Sequence, residues 1–371
     1  WNTGNVETMQ QMFYNCANLQ SVNTTGWDTG KVTAMVSMFR ECPKLTVAEG
    51  MKNWDVSKVT SFEAMFYHKS NYNTAFTGPL DLSAWNPASV ENMNYMFSGL
   101  RNLAGLNASG WDMPALKQCY ALLFNCYNIA DVDLRNWNVP ALESVGMMFA
   151  NCLYKLSEID LSTWTNVNSI NYLYAAFSNA QEVTSIKIPN WTVVARGEKI
   201  SLYSVFNQCS ALEELDMSGW TVGGYVDDGS EVWYSLGAFS NDPNLKKLDL
   251  SNWTIAEGTS PDFFQYGSDS NQGAIWKDRT GTPPNWSTVE IVADGWNLNN
   301  VALDLSYLFS GTGIKSLSGW TNIGGVTDMS SMFGSCTGLN SVDLSGEAAA
   351  LANVQQMFNG CSSLTSAYLI W

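Results

Sequence analysis

Val326-Thr-Asp-Met329-Ser-Ser-Met332-Phe333-Gly-Ser-Cys336 is one copy of a pattern that recurs along the whole chain. An earlier copy reads Val32-Thr-Ala-Met35-Val-Ser-Met38-Phe39-Arg-Glu-Cys42. Successive phenylalanines lie 24 to 33 residues apart, except for one gap of 70 between Phe239 and Phe309. A period in this range predicts a stacked-repeat protein. The phenylalanines, taken as the reference position of each copy, are Phe13, Phe39, Phe66, Phe97, Phe124, Phe149, Phe177, Phe206, Phe239, Phe309, Phe333 and Phe358.

A strand motif follows the cysteine position and ends at a tryptophan. It is clearest in Leu245-Lys-Lys-Leu248-Asp249-Leu250-Ser-Asn-Trp253, where the spacing of the apolar residues is typical of a leucine-rich repeat strand. The phenylalanine is the reference position, and the valine and the two methionines lie seven, four and one residues before it. This spacing places them on one face of a helix. The sequence therefore predicts a parallel sheet on one side and short helices on the other.

On these motifs the chain resembles the BspA-type leucine-rich repeat family, in the subgroup with a roughly 26-residue Trp-Asp-Val-Ser…Met-Phe-x-x-Cys repeat found in bacterial surface proteins. The resemblance covers essentially the whole chain. It implies a solenoid carried on or outside a cell and used for binding, and it implies no catalysis. It supplies neither a ligand nor a set of functional residues.

The predicted fold is an α/β, right-handed leucine-rich repeat solenoid of about 13 coils, where one coil is one copy of the repeat. A single coil buries too little apolar surface to be stable, so coils depend on stacking against their neighbours. One continuous array is expected over residues 1–371, with an irregular insertion at about 254–295. In-register stacking predicts that Glu213 lies beside Lys246 and Glu214 beside Lys247.

The insertion is too rich in aromatic residues to be a disordered loop. It contains Phe263, Phe264, Trp276 and Trp286. One interpretation is a degenerate coil whose aromatic side chains pack back on the array, and the other is a loop that contacts a ligand. The aromatic residues outside the repeat pattern that are candidates for stacking on a glycan or a peptide include Trp233, Trp276 and Trp286.

Polar residues at the centre of the strand motif should form a row on the outer face of the sheet. Neighbouring carboxylates about 5 Å apart repel each other, so the row requires compensation. The aspartates either bond to adjacent backbone and hydroxyl groups or bind a cationic partner or a cation. The row contains Asn23, Asp81, Asn107, Asp133, Asp160, Lys187, Asp216, Asp249 and Asp343, and the candidate ligand-binding residues among them are Asp133, Asp160, Lys187, Asp216 and Asp249.

The eight cysteines are predicted to be buried free thiols. Six lie three residues after the reference phenylalanine, Cys126 lies two after it, and Cys119 lies five before Phe124. Disulfides between neighbouring copies are the alternative, because stacked coils bring these positions close together. The single histidine, His68, lies in a longer connection at 67–79 and is expected to be solvated.

The sequence offers no catalytic constellation, no metal site and no cofactor motif. A net charge of −16 disfavours nucleic acid and anionic membranes as partners, and no apolar run is long enough to span a membrane. We expect a monomeric, non-enzymatic protein at the cell surface or secreted, which binds a host or neighbouring-cell protein or glycan. A structural spacer and a carbohydrate-binding module are the alternatives.

Overall fold

The computed structural model describes residues 2–69, 74–197, 200–226, 233–234, 238–264 and 283–370. Short β-strands make up nearly all of the regular structure in these ranges, and a single 3-10 helix, Met51–Asn53, is the only helix there. The strands are β1 Ser21–Asn23, β2 Val47–Glu49, β3 Leu80–Asp81, β4 Gly105–Asn107, β5 Asp131–Asp133, β6 Glu158–Asp160, β7 Ser185–Lys187, β8 Thr192–Gly197, β9 Ile200–Ser201, β10 Glu214–Asp216, β11 Thr221–Val226, β12 Trp233–Tyr234, β13 Lys247–Asp249, β14 Thr254–Ile255, β15 Glu290–Val292, β16 Leu303–Asp304, β17 Ser316–Leu317, β18 Val326–Asp328, β19 Ser341–Ser345 and β20 Ser366–Ile370.

The chain divides into two compact units, 1–183 with 208–210, and 184–207 with 211–371. In the first unit β1 pairs with β2, and β3, β4 and β5 lie side by side. In the second unit the order is β7, β10, β13 and β15, with smaller groups β8–β11–β14, β9–β12, β16–β18 and β17–β19–β20. These pairings are all parallel, as the repeat predicts.

The predicted strand register is confirmed. Glu214 lies opposite Lys247, and Lys246 Nζ lies 2.6 Å from Glu213 Oε1, although 33 residues separate the partners in each pair. The ammonium group of Lys247 turns toward its own strand and lies 3.5 Å from Asp249 Oδ2. Lys247 and Asp249 are two residues apart and share a face of the strand, and the alternation of side chains predicts that Lys246 lies on the opposite side.

The prediction of short helices is wrong. In the described copies the Met-x-x-Met-Phe segment forms successive tight turns, because a residue within it has a positive φ that a right-handed helix cannot contain. In most copies this residue lies two positions before the reference phenylalanine. The set comprises Gln11, Ser37, Ala64, Tyr95, Ala121, Met147, Ala175, Ser204, Tyr307, Ser331 and Gln356, with φ between 50° and 60°.

Backbone groups in these turns bond alternately within the coil and to the next coil. Met12 N donates to Met9 O in the same turn at 3.3 Å, whereas Gln11 N donates to Val36 O in the following coil at 2.9 Å. Hydrogen bonds therefore join neighbouring coils on the turn side as well as on the strand side. The fold is a parallel β-solenoid of about 10 coils with almost no helix, and the predicted count of 13 is not supported.

Aromatic side chains stack through the interior, with each ring on its equivalent in the next coil. In the first unit the tryptophans from Trp27 to Trp164 are stacked at 5.0 to 6.2 Å between ring centroids, within the usual range for aromatic pairs. In the second unit those from Trp191 to Trp320 are stacked at 4.9 to 6.1 Å. The recurrence of tryptophan along the sequence thus follows from packing between coils.

Leu123, not Phe124, occupies the reference position of its coil. Phe97 N donates to Leu122 O and Leu123 N donates to Met148 O, which aligns Leu123 with Phe97 and Phe149. Leu123 is buried and Phe124 is half-buried. The shift by one residue places Cys126 three residues after its reference position, in line with the other cysteines.

The insertion lies between two neighbouring strands of the second unit. Strand β15 pairs directly with β13, so residues 250–289 connect neighbouring strands of one sheet. Phe264 is fully buried and stacks on Trp296 with 5.7 Å between ring centroids. The described parts of the insertion therefore pack back on the array, as the first interpretation predicts, and residues 265–282 lie outside the described chain.

All eight thiols are free, and six of them are buried. The prediction of burial is wrong for Cys16, which is exposed, and for Cys361, which is half-buried. Both belong to coils that have a described neighbour on one side only. His68 is 4% exposed, so the expectation of a solvated side chain is wrong as well. Residues 74–76 contact the array: Phe76 packs against Phe66, and Asn102 Nδ2 donates to Thr74 O at 2.8 Å.

Candidate functional site

The outer face of strands β5 and β6 carries an open, acidic depression of about 380 Å³. Asp133 and Asp160 belong to the predicted outward row. Asp131 and Glu158 lie two residues before them and so face the same side of the strands. The other lining residues are Asn107, Val132, Arg135 and Thr163. The depression contains four carboxylates and one guanidinium group, so its surface is negatively charged.

The aspartates of the row bond to the backbone of the turn that follows each strand. Asp133 Oδ1 accepts the backbone N–H of Arg135 at 3.1 Å, and Asp160 Oδ1 accepts that of Ser162 at 2.9 Å. Asp81 accepts both the N–H and the hydroxyl of Ser83, at 3.1 and 2.7 Å. One oxygen of these carboxylates thus stabilises the turn, as the structural interpretation predicts, while the row still presents its charge to the outer face.

Arg135 forms an ion pair with Asp133 in the depression. Its Nη2 lies 2.6 Å from Asp133 Oδ2 and its Nε lies 2.9 Å from Asp133 Oδ1. These hydrogen bonds hold the pKa of Asp133 below its usual value. The guanidinium group of Arg135 balances the charge of ionised Asp133, and the other carboxylates that line the depression are those of Asp131, Glu158 and Asp160. The ion pair between Arg135 and Asp133 is exposed, so it contributes little to stability, although it balances the charge of Asp133.

In the second unit the row continues on neighbouring strands. Lys187 lies opposite Asp216, and Asp216 lies opposite Asp249. Asp216 and Asp249 accept the backbone N–H groups of Ser218 and Ser251 at 2.9 and 3.0 Å. Lys187 thus lies on the strand next to Asp216, and Lys247 lies on the same strand as Asp249, which is the compensation that stacked aspartates require.

The candidate aromatic residues do not form one exposed cluster in the described chain. Trp286 is 8% exposed and packs edge-to-face on Phe239, with 5.3 Å between ring centroids. Trp233 lies on β12, where the structure describes the backbone only, and Trp276 lies outside the described residues. Trp286 is thus a core residue rather than a platform for a sugar ring.

Sequence reasoning missed the three charged residues that shape the depression beside the row, Asp131, Arg135 and Glu158. Asp131 and Glu158 lie two residues before an aspartate of the row, and Arg135 lies two residues after one. This spacing could have identified them, since residues at intervals of two share a face of a strand. Within the described ranges no three metal-ligating side chains come together, and no helix is long and apolar enough to cross a membrane.

The family described as "Mycoplasma protein of unknown function, DUF285" matches residues 1–79, 46–164, 72–191, 154–273 and 285–371. The chain belongs to this family. The overlapping matches follow the repeat, since each covers several coils. No curated protein matches the chain.

Three solved structures are similar to the chain at low identity. The crystal structure of a TLR13–ssRNA13 complex has 12% identity and a TM-score of 0.36, covering 95% of this chain and 59% of that one. A leucine-rich repeat protein from Bacteroides ovatus has 13% identity and a TM-score of 0.32, covering 94% and 86%. A leucine-rich cell surface protein from Faecalibacterium prausnitzii has 12% identity and a TM-score of 0.26, covering 84% and 83%. The chain thus spans less than two thirds of the TLR13 chain.

Proposed function

We propose that the chain is a non-enzymatic binding protein, related to the BspA-type repeat proteins, whose strand face binds a cationic region of another protein. The observation that supports this proposal is the acidic depression, in which Asp131, Glu158 and Asp160 are all exposed on one face of two strands. An open depression on a strand face presents such groups to a large partner without enclosing a small molecule, unlike a typical ligand pocket. The net charge of −16 favours encounter with a positively charged protein.

The proposal includes the location and the assembly state expected from the sequence. We place the protein at the cell surface or outside the cell, as a monomer that adheres to a host or neighbouring-cell protein. The resemblance to BspA-type proteins supports the location. No cofactor and no reaction are part of the proposal. The spacer remains a second candidate, and it differs because a spacer needs no partner on its strand face.

An array of extracellular-matrix proteins and glycans tests the proposal. We expect capture of at least one basic protein, with an affinity that falls as NaCl rises from about 50 mM to about 500 mM, because salt screens exposed charges. The double variant Asp131→Asn with Glu158→Gln should weaken that capture about threefold to tenfold. Glu182→Gln, which removes an exposed charge elsewhere in the first unit, is the matched control.

Two outcomes would contradict the proposal. Capture that is equal in the double variant and in Glu182→Gln would place the partner elsewhere on the molecule. The second outcome combines two results: the array captures nothing, and a module fused to the protein is held at a distance from the surface. These results together would support the spacer instead.

A further inference from the structure

A tyrosine surface lies on the turn side of the first unit. It consists of Tyr95, Tyr120, Tyr172 and Tyr174. The ring centroids of Tyr95 and Tyr120 are 5.3 Å apart, those of Tyr120 and Tyr172 6.2 Å, and those of Tyr172 and Tyr174 6.1 Å. Tyr172 is 38% exposed and the other three are half-buried. Tyrosine offers a large contact area at a low cost in side-chain entropy, which is why it is enriched in binding surfaces.

Gly146 allows this surface to be continuous. Tyr120 and Tyr172 belong to coils on either side of the coil that contains Gly146, and their rings meet above it. A Cβ atom on Gly146 would lie 2.6 Å from Cε1 of Tyr172 and 3.0 Å from Cδ2 of Tyr120. The distance to Tyr172 is too short for a real contact and the distance to Tyr120 is tighter than most, so a larger residue at position 146 would displace the rings. Tyr120 also reaches Met147, with its hydroxyl 2.8 Å from the sulfur.

Carboxylates border the tyrosine surface. Glu91, Lys117 and Glu143 are exposed and follow one another in adjacent coils, since Lys117 N donates to Glu91 O and Glu143 N donates to Lys117 O. Glu63 is exposed as well. Asn94 and Tyr120 occupy the equivalent positions in the next two coils. Tyr172 N donates to Glu143 O at 3.2 Å, so the backbone of this row is adjacent to that of the tyrosine surface. Three carboxylates and one amine on these rows give a negative charge overall.

The same unit already uses tyrosine rings to hold guanidinium groups. The Cζ atom of Arg40 lies 4.7 Å from the ring centroid of Tyr67 and 5.8 Å from that of Tyr14. The Cζ atom of Arg101 lies 4.4 Å from the ring centroid of Tyr127. These distances are those of cation–π contacts, which are favourable between an arginine and the face of a tyrosine ring.

We propose that the tyrosine surface binds an arginine-bearing peptide segment of a partner protein. Its guanidinium groups would stack on the rings while the carboxylates of Glu91 and Glu143 attract their charge. Arginine is preferred over lysine, because its planar group stacks on an aromatic face and is more weakly hydrated. This site lies on the turn side and is independent of the strand-face depression, so either proposal can fail alone.

Binding of a synthetic peptide of alternating arginine and glycine tests the proposal, with the lysine–glycine peptide and a cello-oligosaccharide as comparison probes. We expect the arginine peptide to bind more tightly than the lysine peptide. Tyr172→Leu should weaken binding about tenfold, the equivalent of about 1.4 kcal/mol, whereas Tyr172→Phe should change it less than about twofold. Glu143→Gln should weaken binding about threefold at low salt.

Gly146→Ala provides a variant that keeps every ring. The added methyl group should separate Tyr120 from Tyr172 and weaken binding of the arginine peptide about fivefold. Gly78→Ala is the matched control, because nothing lies within 4 Å of its Cβ position. A melting curve for each variant shows that it is folded under the conditions of the assay.

Three results would contradict the proposal that the tyrosine surface binds an arginine-bearing peptide. Equal binding by the wild type, Tyr172→Leu and Gly146→Ala would show that the peptide is held by charge alone. Binding of the cello-oligosaccharide, lost in Tyr172→Leu, would make the surface a sugar site. Loss of peptide binding in the double variant Asp131→Asn with Glu158→Gln, but not in Tyr172→Leu, would assign the peptide to the strand face and leave the proposed function standing.

Discussion

Single tryptophan and cysteine side chains donate hydrogen bonds to backbone carbonyls of the preceding coil. Trp137 Nε1 donates to Ala108 O at 2.7 Å, and Cys126 Sγ donates to Phe97 O at 3.3 Å. The tryptophan N–H is a strong donor and the thiol a weak one. Both residue types therefore pack as apolar groups and also satisfy a buried carbonyl, which explains why the repeat keeps them at fixed positions.

Removal of one such donor should destabilise the first unit. We expect Trp137→Phe to lower the free energy of unfolding by about 1–3 kcal/mol, because the carbonyl of the buried Ala108 loses its indole partner. Phe149→Leu is the control: it repeats the leucine that the chain itself has at position 123 and should cost less than about 1.5 kcal/mol. Urea unfolding followed by circular dichroism measures both. Equal losses would show that ring volume alone matters at Trp137.

Thiol labelling should divide the cysteines into two classes. Burial raises the pKa of Cys42 to about 11 and that of Cys126 to about 12, and it also raises the pKa values of Cys119 and Cys152. Since the thiolate is the reactive form, these thiols should be inert in the native state at pH 8. We expect rapid modification of Cys16, slower modification of Cys361 and protection of the other six until the protein unfolds. Mass spectrometry after timed iodoacetamide treatment measures the order, and early labelling of Cys126 would contradict the structure.

Among the elements, the strands were predictable and the turns were not. The Leu-x-x-Leu-Asp spacing fixes which residues face inward, so the register of Glu214 with Lys247 followed from the sequence alone. Apolar residues at intervals of three and four mark a helical face, yet two successive tight turns that enclose a core present the same spacing. Nothing in the sequence around Ser331 identified its positive φ of 52°.

Two neighbouring serines distinguish the turn from a helix. Ser331 has a positive φ and Ser330 does not. We expect Ser331→Gly to raise the free energy of unfolding by about 0.5–1 kcal/mol, because glycine adopts this conformation without the penalty of a Cβ atom. Ser330→Gly should lower it by a similar amount. In a helix both substitutions would be destabilising by about 1 kcal/mol. Thermal and urea unfolding of the two variants decide between the two structures.

Part of the candidate site followed from the sequence for the same reason as the strands. Asp133 and Asp160 were placed on one face by their position in the strand motif, and the structure brings them to one depression. The tyrosine surface was not predicted, because its rings come from different positions of the repeat in different coils. Its continuity depends on Gly146, whose role is visible only when three coils are stacked.

At the scale of the whole molecule, stability is a sum of contacts between adjacent coils, so one poorly solvated group weakens the array locally. His68 is such a group. Its Nδ1 atom is buried and has no hydrogen-bond partner in the described chain. Burial lowers the pKa of His68 to about 4, from an ordinary value of 6.5. The histidine is therefore neutral in the folded protein at neutral pH, and it gains a proton more readily after unfolding.

The pH dependence of stability should carry the signature of this residue. Because the folded-state pKa of His68 is depressed, its contribution is complete above about pH 6.5 and is lost as the pH falls toward 4. We expect the free energy of unfolding to drop by about 2 kcal/mol between about pH 7 and pH 5. His68 is the only histidine, and the pKa values of Asp81 and Asp133 are lowered, so these carboxylates titrate below this window. Gln208 occupies the equivalent position in another coil, two residues after Phe206. His68→Gln should therefore remove the dependence of the free energy of unfolding on pH in urea titrations across the same window. An equal slope in the wild type and in His68→Gln would mean that the acid sensitivity arises from another group and that His68 is solvated in solution.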